Sequence, residues 1–390
     1  MITGRLQEKN GRYYMILNLK DEYGKHKPKW ITTGLLVAGN KDKAEAMLHD
    51  KLKEFDARSL DNAEMINFGD YMISWLDIIK SSVTESTFTH YWRIVKNSVA
   101  PHFKNLGVSL ARIERQPEYI QNYYKYLIDE RKLTAATVRR HHANIRKALQ
   151  YAVKINLITS NPADKVEKPK VLPYIVSYYD DVTLNILFDK LRGTKMYLPV
   201  LLAAFYGLRR SEVLGLRWSA VDFRQKTISI CHTVTTAAND NGKLYLVKKD
   251  RTKNKSSFRT FPLIPQIEEA LLKKRSEINE NRRIQKRSYC KDNLDYILVD
   301  EKGILLNPNY LSTSFPEYLE KFELKRIRFH DLRHSCASLL LRNGVNMKAI
   351  QEWLGHSDFS TTFNLYTHLD IEAKSESAAM LSSLLHVQSQ

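Results

Sequence analysis

The stretch from Arg328 to Leu369, RFHDLRHSCASLLLRNGVNMKAIQEWLGHSDFSTTFNLYTHL, concentrates His, Arg and Tyr side chains on a short, predicted helical scaffold. Apolar residues recur at helical spacing and predict a first helix from about Asp331 to about Asn343. Gly344 follows at the position where a left-handed residue ends a helix. Asn346, a favourable N-cap, predicts a second helix that ends at Gly355.

Four side chains of this stretch are predicted to converge on an anion. His330 and Arg333 lie three residues apart at the N-terminal end of the first helix, where free N–H groups favour negative charge. His356 comes directly after the second helix, and a further short helix would bring Tyr366 near it. The pattern indicates a phosphate site in outline.

The stretch alone also permits a purely structural interpretation. Residues 347–368 have the layout of a helix-turn-helix with a glycine at the turn. Tyr366 would then be a half-buried aromatic residue with a satisfied hydroxyl group. An upstream segment is needed to decide between the two interpretations.

That segment is Tyr206 to Asp222, YGLRRSEVLGLRWSAVD, which resembles the first arginine box of the tyrosine recombinases, the phage-integrase family. His330-Asp-Leu-Arg333 resembles the His-x-x-Arg box of that family, and Leu354-Gly-His356 its third box. Tyr366 matches the nucleophile. Four boxes in the family's order and spacing are much more specific than any one of them. The wider similarity is to integrases of conjugative transposons and temperate phages.

A basic segment between the first two boxes resembles the lysine-bearing β-hairpin of the family. It runs from Lys248 to Pro262, KKDRTKNKSSFRTFP. Lys253 matches the family's general acid best, and Lys255 remains possible because the turn varies in length. Either lysine could instead be a plain contact to the DNA backbone.

The resemblance implies strand cleavage that needs neither a metal nor another cofactor. A tyrosine attacks the scissile phosphate, two arginines stabilise the developing charge, and a lysine protonates the departing 5′ oxygen. No carboxylate cluster in the sequence suggests a Mg²⁺ site. The implied catalytic residues are Arg209, Lys253, His330, Arg333, His356 and Tyr366.

Composition is consistent with a nucleic-acid partner. The chain has 390 residues and a net charge of +18, which indicates a polyanion such as double-stranded DNA. It has no apolar run near twenty residues and no signal-peptide core at its start, so we expect no membrane contact. Three widely spaced cysteines form no disulfide or metal pattern. A reducing location, the bacterial cytoplasm on the nucleoid, is expected.

The predicted fold class is multidomain, with a small α/β domain first. Residues 1–56 show three strands by alternation and one amphipathic helix, and they resemble the arm-type DNA-binding domain of these integrases. A small module that only packs and is solvated remains an alternative. Residues 57–64 are polar and aperiodic, which predicts a linker.

Residues 66–161 predict an all-α bundle that resembles the core-binding domain of the family. Helices are predicted at Phe68, after Thr84, from Tyr119 to Arg131, and from Thr134 onward. The last helix keeps its apolar residues on one stripe. Basic residues are predicted elsewhere on it, namely Arg139, Arg140, His142, Arg146 and Lys147.

Residues 174–390 predict a mostly α (α+β) catalytic domain with a C-terminal tail helix. Lys226 to Val234 and Lys243 to Lys248 alternate as strands around the hairpin signal Asn239-Asp-Asn-Gly242. The tail, residues 371–390, has an apolar stripe that would be exposed unless it docks. Since the family exchanges such tails between subunits, the resemblance implies a homo-tetramer on DNA.

The resemblance therefore predicts a site-specific recombinase that integrates and excises a mobile element, with arm and core DNA sites and possible use of an accessory excision factor. Two other classes remain open. A type IB topoisomerase would share the chemistry but relax DNA without sequence choice. A non-catalytic DNA-binding regulator would keep the basic surfaces and tolerate loss of catalytic groups.

Overall fold

The computed structural model describes residues 3–20, 26–171, 177–239, 242–250 and 258–355. The chain divides into two compact units. The first comprises residues 1–173 with 238–243, and the second comprises residues 174–237 with 244–390. Each unit contains its own cluster of buried hydrophobic side chains. Each therefore has the core that an independently folded region requires.

The first unit begins with an antiparallel sheet in the order β1-β2-β3, whose strands are β1 (Thr3–Lys9), β2 (Arg12–Lys20) and β3 (His26–Leu36). Asn10 and Gly11 join the first two strands with φ values of 51° and 69°, as a tight hairpin requires. Helix α1 (Lys41–Met65) packs on this sheet. The predicted three strands and one helix are confirmed.

Helix α1 corrects the predicted linker at residues 57–64. The backbone stays helical through this segment and ends only at Met65. The segment is polar but contains neither Gly nor Pro, so it has no residue that ends a helix. Polarity was therefore a poor guide to a boundary here. The predicted domain limits 1–56 and 66–161 stay predictions.

Six helices follow and build an all-α bundle around one core. They are α2 (Phe68–Ile79), α3 (Glu85–Ile94), α4 (Ala100–Asn105), α5 (Leu110–Arg115), α6 (Glu118–Asp129) and α7 (Ala135–Lys154). Side-chain oxygens of Asn67, Thr84, Ser109 and Thr134 cap four of them. The predicted helices are confirmed, and α4 and α5 are short helices that the apolar pattern did not indicate.

His142 does not lie with the basic residues of α7 as predicted. It is buried, and its Nδ1 is 2.8 Å from the hydroxyl oxygen of Tyr124. The neighbouring His141 is buried in the same way, with Nδ1 2.9 Å from the Tyr123 hydroxyl. A neutral imidazole can exchange a hydrogen bond with a phenol, which removes the cost of burying either polar group.

In its described residues, the second unit is mostly helical and has two small sheets. Its helices are α8 (Asp181–Leu191), α9 (Tyr197–Tyr206), α10 (Arg210–Leu214), α11 (Pro265–Gln285), α12 (Pro308–Lys321), α13 (Asp331–Arg342) and α14 (Met347–Leu354). Its strands are β4 (Val221–Asp222), β5 (Thr227–Ile230), β6 (His232–Ala238), β7 (Leu244–Asp250) and β8 (Arg259–Pro262). The sheet orders are β4-β5-β8 and β6-β7.

The predicted single strand from Lys226 to Val234 is wrong, because the chain changes sheets at Cys231. Strand β5 pairs with β4 and β8, whereas β6 pairs with β7. The hairpin of β6 and β7 that the Asn-Asp-Asn-Gly signal predicted is present. A change of partner strand leaves alternation intact, so periodicity alone could not detect it.

Helix α9 is the centre of the second unit. Its sequence YLPVLLAAFY is almost wholly apolar, and residues 198–204 are buried. Helices α8, α10, α11 and α13 all pack against it. The end of a helix buried on all sides is held firmly, so the turn after α9 provides a rigid base for side chains.

Candidate active site

The turn after α9 is built around Gly207. This residue has φ 60° and ψ 31°, in the left-handed region that ends a helix. A Cβ atom here would lie 2.4 Å from Cδ2 of Leu354, so a larger residue would be both strained and obstructed. The turn thus brings the end of α9 against the end of α14. Arg209 follows two residues later as the N-cap of α10.

Arg333 joins these two helix ends. Its side chain is only 2% exposed, and it donates to the carbonyl oxygens of Gly207 at 2.5 Å and Leu354 at 2.7 Å. Burial, and then the positive charge of Arg209, lower the pKa of Arg333 to about 9. A cation with a depressed pKa lies where added negative charge would be favourable.

Arg209 binds the same end of α14 and pairs with a buried carboxylate. Its guanidinium donates to the Gly355 carbonyl oxygen at 3.2 Å, next to the carbonyl that Arg333 uses. It also lies 2.9 Å from Oε1 of Glu212, which is 0% exposed. Arg209 and Glu212, three residues apart in sequence, thus form an ion pair. The carbonyl end of a helix, with its partial negative charge, therefore holds two cations.

His330 lies at the N-terminal end of α13, where the adjacent Asp331 anchors the turn. Asp331 is buried, accepts from the Arg328 backbone N–H at 2.8 Å and pairs with the Arg328 guanidinium at 2.7 Å. His330 is exposed and its ring meets that of His334 edge-on, with centroids 5.4 Å apart. Partial desolvation, followed by the charges of His334 and Arg333, lowers the pKa of His330. At neutral pH it is a neutral hydrogen-bonding group.

An open cavity of about 810 Å³ lies beside these residues. Its lining is strongly cationic, because it includes Arg209, Arg210, Arg326 and Arg328, with neutral His330 beside them. Guanidinium groups bind phosphate oxygens in bidentate geometry, so such a lining favours a phosphate-bearing ligand. Arg333 is not among the lining residues of this cavity, because it is buried and bound to its two carbonyl partners.

The structure thus brings three of the six predicted site residues into one region. Arg209 and Arg333 bind consecutive carbonyl groups, and Arg209 and His330 line one cavity. The other three, with the alternative Lys255, lie outside the described residues, as does the tail 371–390. Those three are Lys253, His356 and Tyr366.

Arg259 is a member of this region that sequence reasoning missed. It is 7% exposed at the start of β8, and its guanidinium is 2.9 Å from Oε2 of Glu212. The signal available was alternation, since Arg259 and Phe261 are two residues apart on a strand and so point to the same face. Both are buried. An arginine on the apolar face of a strand is uncommon enough to indicate a role.

A second polar cluster holds the base of β6 and β7 together. Asp250 Oδ1 lies 2.5 Å from His232 Nδ1 and 3.2 Å from the Arg217 guanidinium. The His232 Nε2 atom is 2.9 Å from the hydroxyl oxygen of Tyr296. Desolvation lowers the pKa of His232, so it acts as a neutral link in this chain of hydrogen bonds.

Two further observations concern the described ranges only. No group of three His, Cys, Asp or Glu side chains there is arranged as a metal site. No helix within those ranges combines the length and the apolar content that a membrane span needs.

Comparison with known proteins shows relatives along almost the whole chain. The tyrosine recombinase XerC-like protein of Caldanaerobacter subterraneus subsp. tengcongensis is 26% identical over 396 residues, covering 96% of this chain and 97% of that protein. An integrase of a Staphylococcus phage is 25% identical over 363 residues, covering 87% of this chain and 99% of itself.

A solved structure shares the fold. The integrase of transposon Tn1549, solved in complex with a circular intermediate DNA, superposes with a TM-score of 0.62 at 17% identity and covers 79% of this chain and 99% of that one. The predicted fold class, with an α/β start, an all-α bundle and a mostly α catalytic domain, is confirmed.

Family matches cover both units. Residues 67–168 match the phage integrase SAM-like domain, and residues 183–373 match the Phage integrase family. Arg209, Glu212, His330 and Arg333 all lie within the second match. The chain therefore belongs to the phage integrase family of tyrosine recombinases, a class of enzymes that transfer DNA strands.

Proposed function

We propose that this chain is a site-specific DNA recombinase that cuts and rejoins strands through a 3′-phosphotyrosine bond. One observation carries the proposal. Arg209 and Arg333, far apart in sequence, bind consecutive carbonyl groups at the end of α14 beside a cationic cavity. Such a pair can hold the two non-bridging oxygens of one phosphate.

In the proposed cleavage step, the Tyr366 oxygen forms a bond to the scissile phosphorus while the bond from phosphorus to the 5′ oxygen breaks. Arg209 and Arg333 stabilise the charge of the pentavalent transition state. His330 and His356 donate hydrogen bonds to the phosphate, and one of the two accepts the proton that Tyr366 loses. Lys253, or in its place Lys255, gives a proton to the departing 5′ oxygen.

The covalent intermediate makes the reaction reversible without ATP. The phosphotyrosyl bond retains the energy of the phosphodiester bond that was broken. A 5′ hydroxyl from a partner strand attacks it, releases the tyrosine and completes strand exchange. The same six residues serve both directions.

We further infer how the chain engages DNA. Residues 1–56 bind arm sites, residues 66–161 and residues 174–390 each bind the DNA of a core site, and four chains assemble through exchange of the tail 371–390. The net charge of +18 supports the DNA partner. The same assignment implies that the chain integrates and excises a mobile element. It also implies that the chain works on the bacterial nucleoid in the cytoplasm, with help from an accessory excision factor.

The two alternatives predict different behaviour. A type IB topoisomerase would relax supercoiled DNA without choosing a sequence, and a DNA-binding regulator would form no covalent adduct. The α/β start of the chain supports sequence choice over simple relaxation, because it adds a second region able to bind DNA. Buried Arg333 supports catalysis over regulation, because burying a charge without use is costly.

The test uses a nicked DNA substrate from which the short 5′ fragment diffuses away after cleavage, so that the covalent adduct accumulates. The intact chain should give a protein–DNA adduct that survives denaturation. Tyr366→Phe should bind the same DNA and give none, because it lacks the nucleophilic oxygen.

The remaining outcomes separate the classes. Failure of the intact chain to form the adduct on its own element's end sequences would refute the enzyme. An adduct accompanied by relaxation of any plasmid, without strand exchange between two duplexes, would favour the topoisomerase.

A further inference from the structure

Arg259 is a buried cation that the proposed mechanism does not use. Its position is fixed by the sheet, since β8 pairs with β5 and places Arg259 opposite Ile230. Its guanidinium lies 5.6 Å from the centre of the Phe261 ring. The side chain is therefore held both by its strand and by a cation–π contact.

Glu212 connects Arg259 to the proposed phosphate site. Its Oε2 accepts from the Arg259 guanidinium at 2.9 Å and from the Arg209 backbone N–H at 2.8 Å. Its Oε1 accepts from the Arg209 guanidinium at 2.9 Å. One carboxylate thus orients Arg209 at two points while it also binds Arg259.

The balance of charges around Glu212 indicates a role for Arg259. Glu212 is 0% exposed, so its negative charge acts on nearby groups with little screening by water. If it opposed Arg209 alone, it would cancel the charge that Arg209 should present to a phosphate. A second guanidinium on the same carboxylate, that of Arg259, neutralises the negative charge of Glu212. Arg209 can then remain cationic toward the cavity that it lines.

We propose that Arg259 is a positioning residue for DNA cleavage, which neutralises Glu212 so that Glu212 orients Arg209 without cancelling its charge. The inference rests on the proposed recombinase function. It places Arg259 behind Arg209, and any effect on the phosphate passes through Glu212.

The competing explanation is that Arg259 only holds β8 in place. The two explanations differ in what happens when Glu212 loses its charge. If Arg259 acts by neutralising Glu212, then Glu212→Gln should relieve the defect of an Arg259 variant. If Arg259 only supports β8, the second change should add to the damage.

The experiment measures the first-order rate of adduct formation with the full chain on saturating nicked DNA. Arg259→Met should lower this rate by about 10- to 100-fold with little change in DNA affinity, since removing an electrostatic contribution to a transition state has effects of this size or larger. The Glu212→Gln/Arg259→Met double variant should be faster than Arg259→Met alone by about fivefold or more. Arg259→Lys, which retains the charge, should stay within about tenfold of the unaltered chain.

Arg217 provides a matched control. It also pairs with a carboxylate, Asp250 at 3.2 Å, and lies 5.3 Å from an aromatic ring, that of Tyr296. It is outside the Glu212 cluster. Glu212→Gln should therefore give no relief when it is combined with Arg217→Met.

A second substrate tests charge directly and does not depend on perfect folding of the variant. A methylphosphonate at the scissile position lacks the negative charge of the phosphate. The rate ratio between the unaltered chain and Arg259→Met should fall toward one on this substrate. A variant with damaged packing would show the same ratio on both substrates.

The outcomes for the two proposals are separable. If the unaltered chain forms no adduct that depends on Tyr366, the proposed function fails. If it forms the adduct and Arg259→Met is as fast, or is not relieved by Glu212→Gln, the role of Arg259 fails and the recombinase assignment stands.

Discussion

The helical bundle of the first unit and the arginine cluster of the second unit both bury titratable side chains, but they do so in opposite ways. In the bundle, His141 and His142 bond the hydroxyl groups of Tyr123 and Tyr124. Burial lowers the pKa of His141 to about 4, so the ring is neutral at physiological pH. Every partner in these pairs is uncharged and supplied from within the bundle.

The arginine cluster buries charge instead. Arg259, Arg333 and Glu212 are all buried, and half-buried Arg209 adds another positive charge. With three guanidinium groups and one carboxylate, these four side chains sum to a net charge of +2. Neutral pairs satisfied from within stabilise a fold, whereas a surplus of buried positive charge is stabilised by an anion from outside. The contrast separates a core from a binding site.

The contrast predicts its largest effect for Arg333→Lys, which should slow DNA cleavage. Lysine keeps the positive charge but cannot span two acceptors with a rigid fork. Loss of such a donor raises the barrier by about 2.7–4 kcal/mol, so adduct formation should slow by about 10²–10³-fold. Single-turnover cleavage of the nicked substrate measures this.

Stability should respond much less to Arg333→Lys. The free energy of unfolding should fall by only about 1–3 kcal/mol, because one backbone carbonyl group loses its donor. Chemical denaturation of the same preparation provides the comparison. Cleavage within about threefold of the unaltered chain, together with a severe loss of stability, would mean that Arg333 belongs to the fold rather than to the site.

The same contrast explains what could be predicted from sequence. Helices α13 and α14 were predicted because local signals agree, namely apolar spacing, the Asn346 cap, and glycines at 344 and 355 with φ values of 76° and 65°. The pairing of Arg209 with Glu212 was also local, three residues apart on one short helix. Such features need no knowledge of the rest of the chain.

What sequence could not provide were the long-range contacts. The meeting of Arg259 with Glu212 depends on β8 pairing with β5, and the junction of Arg333 with Gly207 depends on how α13 packs on α9. His142 was placed on the basic side of its helix because its neighbours are basic, whereas a tyrosine of another helix holds it in the core. Each of these is decided by tertiary packing that leaves no periodic trace.

The next largest expected effect is a dependence of the stability of the helical bundle on pH. The pKa of His141 is lowered to about 4 in the folded chain, below the ordinary value of about 6.5 that the unfolded chain should have. Between these values the unfolded state binds the extra proton. The contribution of His141 to the free energy of unfolding is therefore fully present above about pH 6.5. As the pH falls toward 4, the free energy of unfolding decreases by on the order of 3 kcal/mol.

Hydrogen exchange of peptides from α7, corrected for the intrinsic effect of pH on exchange, measures this loss locally. His141→Gln can still hydrogen-bond a phenol but does not titrate, so much of the pH dependence should disappear in that variant. Exchange that rises equally in both proteins between pH 7 and pH 5 would show that another group causes it.

The smallest expected effects come from changing one helix cap near the arginine cluster and one in the helical bundle. Asn346 caps α14 through the Ala349 N–H at 2.9 Å, and Asn67 caps α2 through the Gly69 N–H at 2.8 Å. Changing either to alanine should lower the free energy of unfolding by about 1 kcal/mol, since each change removes the side-chain oxygen that caps its helix, which accepts from one N–H group in α14 and from two in α2. Thermal denaturation of the two variants gives that comparison.

Their effects on cleavage should differ, because α14 presents the carbonyl groups of Leu354 and Gly355 to Arg333 and Arg209. Asn346→Ala should slow adduct formation by up to about fivefold, which corresponds to about 1 kcal/mol at the transition state. Asn67→Ala has the same cost in stability with no such connection, so its rate should stay unchanged. Equal rates in the two variants would show that the N-terminal cap of α14 has no influence on how the C-terminal end of this helix holds the two arginines.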